Sequence, residues 1–312
     1  MIPLELQTQA ASLIRQSKRI LVLPSSPLDG DSLGSAISVY MVLKKMGKDV
    51  TAVCADEVPA VYKFLPGMDM FKRELSFVRE FIVTIDTRKT GVKDVRHDIQ
   101  PDKINIIITP EHGGLSSELI TFDNGSVNFD LIIAVDAADP EQFKQLYTAN
   151  TEMFHTVPVL NIDHHVSNLQ FGKINIVDTM APSATTLVMK LVEGMDTSLI
   201  DADIATLLLA GLITDTGSFQ NPNTTPDAFS IAAHLIELGA RQQEIIQHIY
   251  KTKKLSTLKL WGRVLSKIQY DERHRLVWST ISQKDLAETA SKAEESEGII
   301  DELLSNAPGA EI

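Results

Sequence analysis

Apolar residues fall along this chain in two rhythms. Leu6, Ala10, Leu13 and Ile14 recur at helical spacing between Glu5 and Arg19, which predicts an amphipathic helix. Arg19-Ile20-Leu21-Val22-Leu23-Pro24 then reads as a short buried strand. A Ser/Pro/Asp/Gly turn leads to Leu33, Ile37, Tyr40, Met41 and Lys44, a second helix that Gly47 ends, and Val50 to Cys54 is the next strand. Strand, turn, helix and strand in this order make a βαβ unit, the building block of parallel sheets. Phe129 to Asp136 and Val157 to Asp163 repeat the strand pattern, each closing on an acid, while residues 184–194, 199–213 and 229–239 read as helices.

Between these segments the texture changes. Over about residues 74–128, runs such as Phe81 to Ile85 and Ile104 to Thr109 are joined by Gly, Pro and Asp turns, which predicts antiparallel hairpins. Beyond about Thr252 the pattern changes again, with a helix and strands over Trp261 to Ile281, an acidic tail from Lys284, and a strand-like end at Ala310-Glu311-Ile312. The expected fold is α/β: a parallel sheet flanked by helices over residues 1–250, a β-rich insert at about 74–128, and a partial α/β C-terminal domain at 255–312.

The single cysteine, Cys54, excludes a disulfide framework and fits a reducing compartment. The N-terminal segment lacks the charged and apolar regions of a signal peptide, and no run approaches the ~18 apolar residues of a membrane span. These features predict a cytoplasmic protein with no membrane partner. A net charge of −12, from 29 basic against 41 acidic residues, argues against coating long duplex nucleic acid. It leaves room for a short phosphate-bearing substrate, because bound cations can reverse the local field.

Chemistry concentrates where strands end, the place where parallel α/β sheets bind ligands. The first strand delivers Asp29 and Asp31, the next Asp136 with Asp139 three residues on, a third Asp163-His164-His165, and a helix end Asp215. Each also has an ordinary structural reading. Asp-x-Asp before a helix is a common N-cap, and Asp136 and Asp215 sit where turn residues are usual. Four chain ends bringing unpaired carboxylates to one edge would nevertheless repel one another, and oxygen with imidazole donors suits Mn²⁺ or a similar divalent ion.

Four ordered motifs resemble the DHH phosphoesterase family, which includes RecJ-type exonucleases, nanoRNases, cyclic-dinucleotide phosphodiesterases and exopolyphosphatases. They are Asp29-Gly30-Asp31-Ser32-Leu33-Gly34-Ser35, Val135-Asp136, Asp163-His164-His165 with Asn168 and Phe171-Gly172, and Thr214-Asp215-Thr216-Gly217 with Phe219. The resemblance implies a first metal on Asp29 and Asp136, and a second on Asp31, Asp136, His164 and Asp215. Mn²⁺ is the implied cofactor, one ion or two, with Mg²⁺ or Co²⁺ as alternatives. It further implies hydrolysis of phosphodiester or phosphomonoester bonds by a hydroxide formed from a water that the metals share. Asp136, Asp163 and His165 would form the catalytic group, with Asp163 orienting a neighbouring ligand. Ser35, His165 and Asn168 would contact substrate, Ser35 from the first turn of its helix, where free N–H groups favour anions.

Three departures stand out. The His that opens the family's first motif is here Ser25, in Leu23-Pro24-Ser25-Ser26-Pro27, a poor substitute for imidazole; His97 and His112 of the insert are replacements by elimination only. The insert lengthens the gap between the first two motifs, and can cover the cleft, select substrate size or mediate a homodimer. Residues 255–312 resemble the start of the family's associated domain, without its Gly-Gly-Gly-His stretch. The reading is therefore a phosphoesterase of short oligonucleotides, cyclic dinucleotides or nucleotide-like phosphates. The alternative is an impaired relative that binds nucleotide or a protein partner.

Overall fold

The structure, a computed structural model, describes residues 2–75, 81–124, 129–251, 254–271, 273–296 and 299. The strand-like end at 310–312, half of the acidic tail and residues 76–80 and 125–128 at the two ends of the insert lie outside these. The described chain forms two compact units, Met1–Gln242 and Gln243–Ile312.

The first unit begins with α1 (Leu4–Gln16), β1 (Arg19–Pro24), α2 (Gly30–Lys45), β2 (Asp49–Val53) and the two-residue β3 (Phe71–Lys72). The insert follows as β4 (Phe81–Ile85), β5 (Asp94–Ile99), β6 (Ile104–Thr109) and β7 (Ile120–Asn124). The main fold resumes with β8 (Leu131–Val135), α3 (Gln145–Thr148), α4 (Thr151–Thr156), β9 (Val159–Asp163), β10 (Ile174–Val177), α5 (Ala184–Met195), α6 (Ala202–Asp215) and α7 (Pro226–Glu237).

Six strands form one parallel sheet in the order β10-β9-β8-β1-β2-β3. Strands β8 and β9 are buried along their whole length, as are the five residues of β1 after Arg19, which is why they read as continuous apolar runs. On one side Leu21, Leu23, Ile132, Ala134 and Val159 pack with Phe143 and Met153. On the other, α2 is wedged between the sheet and helices α5 and α6. Two glycines allow that fit: a Cβ on Gly34 would stand 2.5 Å from the Leu207 carbonyl oxygen, and one on Gly211 2.8 Å from Asp31 Oδ1. The fold is thus α/β, a parallel sheet flanked by helices, with an antiparallel β4–β7 pair and the antiparallel hairpin β5–β6 in the insert.

Helix α2 starts earlier than its apolar pattern indicates. Gly30, Asp31 and Ser32, which read as turn residues, form its first turn, with Asp29 as the N-cap. The order in which strands are added reverses between β1 and β8: β2 and β3 extend the sheet one way, β9 and β10 the other. Such a switch point opens a crevice at the carboxyl ends of the two strands.

The second unit opens with α8 (Gln242–Tyr250), whose first residue lies at the boundary, followed by α9 (Leu255–Ser266), β11 (Gln269–Asp271), β12 (Leu276–Trp278) and α10 (Gln283–Thr289). The hairpin β11–β12 is antiparallel, and Trp261, Val264 and Ile299 form a small core of their own. Among the described residues, no helix is long and apolar enough to cross a membrane.

Candidate metal centre

The crevice at the switch point gathers the acids of four segments. Asp136 follows β8, in the left-handed region (φ 57°), with its N–H bonded to the Ile162 carbonyl at 2.8 Å. Its Oδ2 accepts from the Ser25 hydroxyl at 3.3 Å, while its buried Oδ1 has no partner. Asp31, inside α2, is buried and accepts the N–H groups of Ala184 (2.5 Å) and Thr185 (2.9 Å) at the start of α5. Asp215, the last residue of α6, accepts from Asn223 Nδ2 at 3.0 Å.

His164 faces all three. Its Nδ1 lies 3.2 Å from the Ala181 carbonyl, to which it donates, so in the neutral ring Nε2 carries the lone pair. That Nε2 is buried and unpartnered, 3.6 Å from Asp136 Oδ1 and 3.8 Å from Asp31 Oδ2 and from Asp215 Oδ2. Asp31, His164 and Asp215, and separately Asp136, His164 and His165, bring ligand atoms close enough together to hold one ion. Three carboxylates converge on one imidazole nitrogen, and among the described residues no lysine or arginine pairs with any of them. The donors therefore fit a divalent cation of the oxygen-and-imidazole type.

The electrostatics agree with the geometry. Burial, reinforced by its acidic neighbours, pushes Asp31 up to about 6. The same causes, burial first and then Asp31 and Asp29, hold Asp136 well above the carboxylate range, and burial raises Asp215. Asp163 differs. Burial alone would raise it, yet hydrogen bonds from His165 (2.7 Å) and Asn168 (2.6 Å) bring it below its ordinary value. In return the Asp163 hydrogen bond raises the half-exposed His165 imidazole.

The remaining expected residues occupy other places. Asp29 caps α2, its Oδ1 accepting the Ser32 N–H at 2.8 Å, and the Asp31 carboxylate is held by backbone, so neither is the unpaired acid expected from sequence. Ser35 corrects another expectation. Because α2 starts at Gly30, it lies past the first turn, fully buried, its hydroxyl without a partner. Asn168 is turned back onto the ends of β8 and β9: Nδ2 donates to Ala137, Asn161 and Asp163, and Oδ1 accepts the Gln170 N–H. Asp139 caps a short helical turn. His97 and His112 are exposed in the insert, and neither joins a ligand group among the described residues.

Ser25, which stands where the family has its first His, is a hydroxyl donor to Asp136. Two participants escaped the sequence reading: the Ala181 carbonyl sets the His164 tautomer, and Asn223 ties Asp215 to the Pro182 carbonyl. Only Asn223 left a trace, as the second amide of Asn221-Pro222-Asn223 just after the last motif.

Comparison with known proteins adds family membership. The family profile described as "DHH family, N-terminal domain" matches residues 19–212. The chain is similar to the bifunctional oligoribonuclease and PAP phosphatase NrnA of Thermus thermophilus, 26% identical over 242 residues, which cover 78% of this chain and 56% of that protein. Its counterpart in Bacillus subtilis is 29% identical over 219 residues, 67% of each chain. The chain thus matches between about half and two thirds of the length of these relatives. The crystal structure of an exopolyphosphatase-related protein from Bacteroides fragilis superposes with a TM-score of 0.73 at 19% identity, covering 99% of this chain and 78% of that one, a likeness of fold. With the profile spanning the sheet and every acid of the crevice but Asp215, the chain belongs to the DHH family.

Proposed function

We propose that this chain is a metal-dependent phosphoesterase hydrolysing short oligonucleotides, with PAP as a second substrate, the pair named for its Thermus and Bacillus relatives. The observation that carries the reading is the facing pair of buried, unpartnered atoms, His164 Nε2 and Asp136 Oδ1, 3.6 Å apart. Leaving two such groups unsatisfied is costly unless a ligand completes them. Asp31, Asp136, His164 and Asp215 would hold the ion, with Asp29 at its edge, and Mn²⁺ best suits three carboxylates and an imidazole. A divalent cation there supplies positive charge to phosphate oxygens and lowers the pKa of a water.

The chain's own groups do the rest. The helix α5 N–H groups fix the Asp31 carboxylate, and Ala181 fixes the His164 lone pair. Asp163 holds the proton on His165 Nδ1 and favours the imidazolium, a half-exposed cation able to bind a phosphate oxygen. The acidic surface suits short substrates of this kind in a cytoplasmic setting.

The test is hydrolysis by the purified chain of short oligoribonucleotides, PAP and a cyclic dinucleotide, with Mn²⁺, Mg²⁺, Co²⁺ or EDTA. Mn²⁺-stimulated release of mononucleotide or phosphate is expected. It should disappear in EDTA and in an Asp136→Ala variant that keeps the wild-type circular dichroism. No hydrolysis of any substrate with any of the three ions would refute the reading.

A further inference from the structure

Strands β5 and β6 form a two-stranded sheet whose outer edges have no strand partner among the described residues. A two-stranded ribbon is marginal in water unless further strands join it. Its pairing, Val95 with Ile108, His97 with Ile106 and Ile99 with Ile104, puts five aliphatic side chains and one imidazole on a single face. Val95 (58% exposed), Ile99 (69%), Ile104 (65%) and Ile106 (55%) lie open. The opposite face of β5 carries Asp94, Arg96 and Asp98.

We propose that β5 pairs antiparallel with β5 of a second copy of this chain, about a two-fold axis at His97. The turn bond from the Gln100 N–H to the Lys103 carbonyl sets the alternation of the hairpin ladder, so the N–H and C=O groups of Val95, His97 and Ile99 point to the free edge. Face matching then leaves few registers. An axis at Arg96 opposes Arg96 to itself and Asp94 to Asp98; an axis at Asp98 opposes Asp98 to itself. The axis at His97 sets Arg96 against Asp98 twice and Val95 against Ile99 twice, over the whole strand. An axis at Val95 also matches charge, but pairs only the first half of β5. Among the described residues of one copy, Arg96 has only an exposed ion pair with Asp94 (3.2 Å), a contact of little worth. The β6 edge carries no charge and so specifies no register.

Joining gives a four-stranded antiparallel sheet, β6-β5-β5-β6, in which each hairpin gains the neighbours it lacks. A contact this small lies under the ~1,200 Å² of stable complexes, so the dimer should form with a Kd of about 1–100 µM.

Sedimentation velocity across that concentration range tests the proposal. Wild-type protein should pass from monomer to dimer. Arg96→Asp opposes acid to acid twice and Asp98→Arg opposes base to base twice, so each alone should dimerise at least about tenfold more weakly (~1.4 kcal/mol). Mixed in equal amounts, the two variants restore opposite charges at every site and should form a heterodimer. His97→Cys should cross-link to itself on oxidation, since hydrogen-bonded strand pairs place Cα atoms at disulfide distance and the native Cys54 is buried. A wild type that stays monomeric would overturn the proposal. So would single variants that dimerise like wild type, or a mixture that stays monomeric while both variants keep the native circular dichroism.

Discussion

Asp136 bears three constraints at once: a left-handed backbone, a buried oxygen without a partner, and a serine donor on its other oxygen. Aspartate tolerates that backbone better than most residues, yet strain of this kind persists where the surroundings over-determine it. The surroundings here include Asp163, whose two oxygens separately hold His165 and Asn168. Asp163→Asn would set one amide against another at Asn168 and withdraw the charge that favours imidazolium at His165. Activity should fall about 10–100-fold with little change in melting temperature, read by steady-state kinetics beside circular dichroism. At this scale the sequence showed which residue types gather but not how they are engaged. Asp29 is both a member of the acidic group and the N-cap that an Asp before a helix usually is. Asn168, expected at the substrate, is consumed by the ends of β8 and β9, and Asn223 becomes visible only once Asp215 lies beside it.

Helix α2 succeeds as an element because it is thin where it must be. Gly34 admits the Leu207 carbonyl, and that approach aligns Asp31 on α2 with Asp215 at the end of α6. Gly34→Ala should overpack the interface by about 1–3 kcal/mol. At roughly 2–4 °C per kcal/mol for a chain of this size, a clear fall in melting temperature is expected by calorimetry, with weakened metal binding by titration. Elements were legible where burial on both faces imposed an unbroken apolar run, as in β1, β8 and β9. They were obscure where it did not. Strand β5 is exposed along its whole length and alternates acid, base and aliphatic residues, and β10 is a four-residue edge strand, mostly half-buried.

Across the whole molecule, −12 divides into surface charge and a few acids kept from water. Burial lifts Asp31 from 3.8 to about 6 and also raises Asp136 and Asp215, so the metal-free native state binds more protons than the unfolded chain between those values. Stability therefore falls as pH rises through that window, and the raised His165 acts in the same direction. In EDTA the melting temperature should drop from pH 5 to pH 7.5. Mn²⁺ should restore it, most strongly at the higher pH, where the cation no longer competes with protons. A scanning-fluorimetry series with and without metal reads both slopes, and a metal-free protein that gains stability over this range would contradict the burial of these acids.

The passage from β3, at one margin of the sheet, back to β8 beside β1 is also where the insert lies. The chain must make that crossing whatever it carries, and a flexible connection costs only about 0.6 kcal/mol more each time its length doubles. Cargo on this stretch can therefore be lengthened, shortened or exchanged at small thermodynamic expense, while the strands on either side keep their register. Evolution, or an engineer, can alter what the crossing presents to the outside without touching the acids at the crevice.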